Sequence, residues 1–260
     1  MKKVHGINRR LPPTENVASI ILDSESERAV VVTKDILVNQ IFRDGPTIAN
    51  SFDRLTENDI RAISAVLADA MGVIFSHVVV NSEDYKPTCA RLLLSATTAF
   101  MASVEVARHG FRRPYGAMAR TILETLATVL HIVVEPAALG KFNAGTLRST
   151  KSVTVAEKVL PLFGRQYGML SDLFVHINKS HAGLDPIVSY EKDEAALGFI
   201  LSSLRATGWL IYTVAELAFY DDISSPRYWR NVGPGAFVYD PSDAERNSLR
   251  EFFKGEAGEP

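Results

Sequence analysis

Apolar residues recur every three or four positions through most of the chain, and polar breaks divide the pattern into helix-length segments. Ile60, Ile63, Leu67, Met71, Ile74 and Val78 form one stripe, which predicts a helix over about 57–80. Thr56 followed by Asp59 is close to a capping box and sets the expected start. A second helix opens at Lys86-Pro87-Thr88 and carries Leu92, Leu93, Ala96, Ala99, Phe100, Ser103 and Val104. It should end at His109-Gly110, where glycine suits a left-handed cap. A third runs from Pro114 through Met118, Ile122, Leu126, Val129, Leu130 and Val133 to Glu135-Pro136. Shorter helices are expected over 146–160 and 162–178, a long one over 193–220, and a weak amphipathic one over 243–253.

The segment 17–43 reads two ways. Val30, Val31, Leu37, Val38, Ile41 and Phe42 fit a helix over 25–43, stopped by Gly45-Pro46. The β-branched run Val30-Val31-Val32 also fits a hairpin with residues 18–22. The helix is the favoured reading. The sum is an all-α protein, an antiparallel multi-helix bundle with short connections. Its expected parts are a basic arm (1–15), one bundle domain (16–222) and an irregular tail (223–260) with a short amphipathic helix.

Composition narrows the function classes. The chain has 260 residues, 47% hydrophobic and 22% charged, with a net charge of -2. That is ordinary for a globular protein and gives no electrostatic case for a dedicated nucleic-acid binder. One cysteine, Cys89, excludes an internal disulfide and a cysteine-based zinc site. The basic N-terminus is followed by Pro12, Pro13 and Glu15 instead of an apolar run, so no secretory signal is expected. Arg205 and Glu216 interrupt the most apolar stretch, Leu197 to Phe219, so the expectation is cytoplasmic with no membrane span. Phosphate-binding glycine loops and helical metal motifs are absent, and Glu105 with His109 is too small a ligand set. No metal or cofactor is expected.

The polar residues that stand out lie inside apolar stripes. Arg120 and Glu124 are four apart and share a helix face, and His131 and Glu135 continue along it. Charges on so apolar a helix need partners, either each other or groups on a facing helix. A second group is Tyr167, Ser171 and His176 on a helix that also carries Gly164 and Gly168, which would allow close approach of another helix. His176, near a helix end, is a candidate acid, base or anion binder. No G-x-S-x-G elbow surrounds Ser171, which argues against a serine hydrolase. Arg108, His109, Arg112 and Arg113 cluster at one helix-to-helix turn and are candidate phosphate contacts.

These groups carry a resemblance. Ala117, Arg120 and Glu124 form an A-x-x-R-x-x-x-E helix, and Tyr167, Leu170, Ser171 and His176 form a Y-x-x-L-S…H helix. In the stretch from Phe111 to Leu184, under a third of the chain, the sequence resembles an uncharacterised bacterial all-helical family. Its organisation is similar to HEPN domains, helical bundles often found as RNA-cutting toxins and in phage defence. The resemblance implies a HEPN-like bundle with a homodimer or protein partner, and RNA as the alternative partner. Trp229, Phe237 and Tyr239 in the tail are candidate exposed apolar contacts for a dimer. The HEPN nuclease motif R-x(4–6)-H is absent: none of the six histidines has an arginine at that distance. The nearest approach has Ser171 where the arginine would stand before His176. Serine cannot supply the fixed cation that stabilises a pentacoordinate phosphate. The expected function is therefore an accessory or binding protein of a phage-defence or toxin–antitoxin system. The alternatives are a metal-independent endoribonuclease and a small-molecule binder. The nuclease would use His176 with Arg120 or Arg165 as clamp and Ser171 and Glu124 as orienting groups. The binder would use a polar pocket around Arg120, Glu124, Tyr167 and His176.

Overall fold

The computed structural model describes residues 14–23, 28–79, 84–177, 179–182 and 187–254. The expected basic arm lies outside these residues up to position 13. The chain begins with β1 (Val17–Asp23) and β2 (Arg28–Thr33), an antiparallel pair in which Ile20 faces Val31 and Leu22 faces Ala29. The helix expected over 25–43 is therefore replaced by strand over 28–33. Stiff β-branched side chains such as Val31 and Val32 lose less freedom on a pleated strand than in a helix. Helix begins only at α1 (Ile36–Asn39), which passes through a π-helical turn, Gln40–Asp44, into α2 (Gly45–Val78).

Gly45-Pro46 starts α2 instead of stopping its predecessor. Proline has no N–H for the α ladder and its ring crowds the preceding turn. The π turn absorbs this: the Gly45 N–H reaches Gln40 O. A Cβ on Gly45 would stand 2.1 Å from that oxygen, so only glycine fits. The expected capping box at Thr56 is likewise overturned. Thr56 is buried in mid-helix with its hydroxyl donating to Phe52 O at 2.9 Å. Asp59 is buried too.

The remaining helices follow their stripes more closely. They are α3 (Lys86–Arg108), α4 (Arg112–Val134), α5 (Ala137–Asn143), α6 (Ser149–Val159), α7 (Leu162–Leu170) and α8 (Ala195–Ala218). Gly110, at φ +83°, takes the left-handed turn between α3 and α4 that the sequence placed there. α7 runs into a second π turn, Ser171–Val175. α3 and α4 pack along each other, α4 also packs on α6, and α2 and α4 both pack on α8. The core runs from Ile48 to Trp229 and draws on every one of these helices from α2 to α8.

The segment after residue 222 is less irregular than its glycines and prolines suggest. β3 (Trp229–Gly233) and β4 (Ala236–Tyr239) form a hairpin, and α9 (Asp243–Lys254) follows. Trp229 is buried, and Phe237 and Tyr239 pack against the core, so these aromatics are not the free dimer contacts that the sequence suggested. Trp209 of α8 meets Tyr228, Tyr239 and Phe253 edge-on, at centroid distances of 6.1, 5.9 and 6.0 Å. Arg227 reaches both Glu245 oxygens, at 3.0 and 3.1 Å, and ties α9 down.

Candidate functional site

α4 and α7 bring three of the expected residues together. The Arg120 guanidinium donates to the Tyr167 hydroxyl at 2.6 Å, lies 3.4 Å from a Glu124 oxygen and sits 4.8 Å from the Tyr167 ring centroid. The i,i+4 spacing on α4 makes the ion pair, and the facing helix supplies the phenol. The side chains of Arg120 and Glu124 keep 20% and 25% of their surface. The close approach that sets α4 beside this segment comes from Gly116, not from Gly164 or Gly168. A Cβ on Gly116 would stand 2.1 Å from the Phe174 ring, whereas Gly168 has nothing within 4 Å and Gly164 meets only the flexible Glu157 side chain.

Ser171 and His176 stand apart from that cluster. In the second π turn, residues five apart are joined by the backbone, and the His176 N–H donates to Ser171 O at 2.8 Å. The side chains diverge. Ser171 is buried with its hydroxyl donating to Tyr167 O at 2.6 Å. His176 leaves the helix in extended conformation (φ -73°, ψ 116°), exposed to solvent. Among the described residues its ring makes no hydrogen bond or ion pair with Arg120, Glu124, Tyr167 or Ser171. Arg165 is exposed on α7.

The cations at the α3–α4 turn are engaged within the chain. Arg108 grips both oxygens of Asp53 at 2.7 Å each. That hydrogen bond holds the Asp53 carboxyl below its ordinary range. Arg112 is buried, bonds Glu194 at 2.5 Å and lies over the Tyr190 ring at 4.7 Å. Arg113 donates to His181 O.

Three further polar constellations form, with partners that the sequence does not specify. His131 on α4 links Ser152 on α6 through Nδ1 at 3.0 Å and Glu135 through Nε2 at 3.2 Å. The connectivity is that of a serine hydrolase, but Ser152 is 0% exposed, so no substrate reaches it and the group acts as a clamp between α4 and α6. His77 at the end of α2 stacks on Phe219 at 4.0 Å and meets Asp222 at 3.0 Å, and Lys86 joins the same Asp222 oxygen at 2.6 Å. The Lys86 hydrogen bond, followed by that of His77, depresses the Asp222 carboxyl. The third constellation belongs to α8. Arg205 pairs with Asp59 of α2 where both are about 95% buried, and the fully buried Glu216 accepts the N–H groups of Tyr228 at 2.7 Å and Trp229 at 2.9 Å. The sequence signal for these two was the charge interrupting an apolar helix; nothing in it gave the partners.

Cys89 is buried, and burial pushes its thiol up to about 12, which leaves no thiolate for nucleophilic chemistry near neutral pH. Cavities of about 440, 590 and 600 Å³ lie around the C-terminal hairpin and α9. None of these is lined by Arg120, Glu124, Tyr167, Ser171 or His176. Among the described residues no three His, Cys, Asp or Glu side chains converge as metal ligands would.

Arg120→Ala removes one charged hydrogen bond, a partly exposed ion pair and a ring contact. The expected loss is about 1–2 kcal/mol, read from the urea midpoint. A loss of 3 kcal/mol or more would mean that the pair behaves as a fully buried one.

Together the elements define an all-α helical bundle with two small strand pairs. Comparison with protein-family models, curated proteins and solved structures finds no match. Four helices, Ile36–Val78, Lys86–Arg108, Arg112–Val134 and Ala195–Ala218, are long and apolar enough to cross a membrane by length and composition. The apolar window of the last is 72% buried inside the protein, and that of the first only 17%.

Proposed function

We propose that the chain is a non-catalytic accessory or binding protein of the cytoplasm, HEPN-like in organisation, that acts with a protein partner in a phage-defence or toxin–antitoxin system. One observation supports the non-catalytic reading most directly: the groups that RNA cleavage would need are not assembled. The Arg120 guanidinium is turned onto Tyr167 and Glu124, Ser171 is turned onto a carbonyl, and the His176 ring points to solvent without joining them. Phosphoryl transfer needs a cation and an acid or base converging on one phosphate. The engagement of Arg108 and Arg112 by carboxylates removes the most obvious phosphate patch as well.

The test is incubation of the purified protein with total RNA beside the His176→Ala variant. Wild type and variant are expected to leave the RNA equally intact. Cleavage that disappears in the variant would replace this reading with the endoribonuclease.

A further inference from the structure

The hairpin β1–β2 and the helix α1 that follows it have no hydrophobic core of their own. Among the described residues, none from 17 to 42 belongs to the core or packs its apolar side chain against it. Within this N-terminal arm of residues 17–42, the buried Asn39 joins hairpin to helix, donating to the buried Thr33 at 2.9 Å and to Asp35 at 2.8 Å. Val17, Val31 and Val32 are half-buried, but the other described large apolar side chains there face water. Ile20 is 60% exposed, Leu22 78%, Leu37 72%, Ile41 61% and Phe42 76%. Their spacing gives them a face. Ile20 and Leu22 lie two apart on one side of β1, and Leu37, Val38, Ile41 and Phe42 lie within one stripe of the helix. A two-stranded hairpin alone is marginal in water, so this one needs a cover.

We propose that a second copy of this chain supplies it. In this arrangement the arms of two copies pair about a two-fold axis, each covering the other's apolar face, and the free hairpin edges join into one sheet. This names the partner in the binding reading above and rests on it. Several features select a copy of the chain over other covers. β1 presents Val17 to Leu22 without a lysine or proline to guard its edge, and any strand meets its own two-fold mate antiparallel. An edge with free N–H and C=O groups is satisfied by another strand, not by lipid. The charges beside the patch are of both signs, Lys34 and Arg43 with Asp35 and Asp44, unlike the basic rim that favours an anionic bilayer. The six residues of this face expose roughly 800 Å² per chain, about what one partner contributes to a standard stable interface.

The experiment measures mass in solution by light scattering on the full chain at micromolar concentration. Wild type should show twice the 28.6 kDa of the chain. The double variant Leu22→Glu, Phe42→Glu should show the single-chain mass with an unchanged far-ultraviolet circular dichroism spectrum. Phe75→Glu and Val79→Glu, exposed at 54% and 90% near the far end of α2, should keep the doubled mass. If the double variant misfolds, amide exchange on wild type decides: β1 and β2 amides must exchange more slowly as concentration rises. A wild type at single-chain mass overturns the proposal, including one that floats with phosphatidylserine vesicles. So does a dimer abolished by Val79→Glu and kept by the arm variant, or β1 exchange independent of concentration. RNA cleavage by an arm-dependent dimer would sink the non-catalytic reading and leave this one standing.

Discussion

Asp59→Ala is expected to cost about 3–5 kcal/mol, the largest single loss among polar residues of the bundle. Asp59 and Arg205 meet where α2 packs along α8, with 6% and 5% of their side chains exposed. Removing the carboxylate strands a guanidinium in a medium that cannot solvate it. Domains of this kind are stable by only about 5–15 kcal/mol, so the variant should sit close to its unfolding threshold at room temperature. Urea unfolding with an unchanged slope and a lowered midpoint would show it. The double variant Asp59→Val, Arg205→Met removes both charges and should recover most of the loss, because a well-packed apolar pair replaces a buried ion pair at little cost. Equal destabilisation of single and double variants would show that volume, not charge, holds the α2–α8 contact.

Glu216→Ala is expected to cost about 3 kcal/mol and to loosen the C-terminal hairpin before the bundle. Glu216 is 0% exposed, and one of its oxygens accepts the backbone N–H groups of Tyr228 and of Trp229, the first residue of β3. Alanine leaves two buried donors without an acceptor, and each orphan carries a desolvation cost. Glu216→Gln keeps a carbonyl oxygen in the same place and should lose markedly less. Trp209 and Trp229 both lie in this region, so a red shift of tryptophan emission at sub-denaturing urea reports the local opening. Unshifted emission in Glu216→Ala would mean that the ring cluster around Tyr239, and not the carboxylate, holds the hairpin.

Both residues show how far the sequence reaches. Arg205 and Glu216 stood out as charges inside an apolar helix, which is enough to say that each needs a partner. Asp59 did not stand out, because a carboxylate three residues after a threonine fits a helix start equally well. Local pattern cannot separate a cap from a buried ion-pair partner lying 146 residues away from its arginine; only the packing of α2 on α8 does so. Gly45-Pro46 shows the same limit. It is a sound local stop signal, yet a π turn carries the helix through it.

The candidate site divides along the same line. Arg120 and Glu124 were legible as a pair because both lie on one helix at i,i+4. The Tyr167 hydroxyl completes the cluster across α4 and α7, and no spacing rule within either helix specifies which phenol faces which guanidinium. Ser171 and His176 looked like partners at five residues apart. The π turn does join their backbones, but it leaves one side chain buried and the other in solvent.

By itself the sequence determined the all-α class, the extents of α3, α6 and α8 to within a few residues, the left-handed turn at Gly110, and the short helix after Asp243. These follow from hydrophobic period and local backbone preference, which act over a few residues. The tertiary structure alone decided that residues 17–23 and 28–33 pair as strands, that the tail aromatics are packed while Phe42 is exposed, and which buried charges pair. Those outcomes depend on what lies across the core from each residue, and a period of three to four positions tells which way a side chain faces, not what it meets.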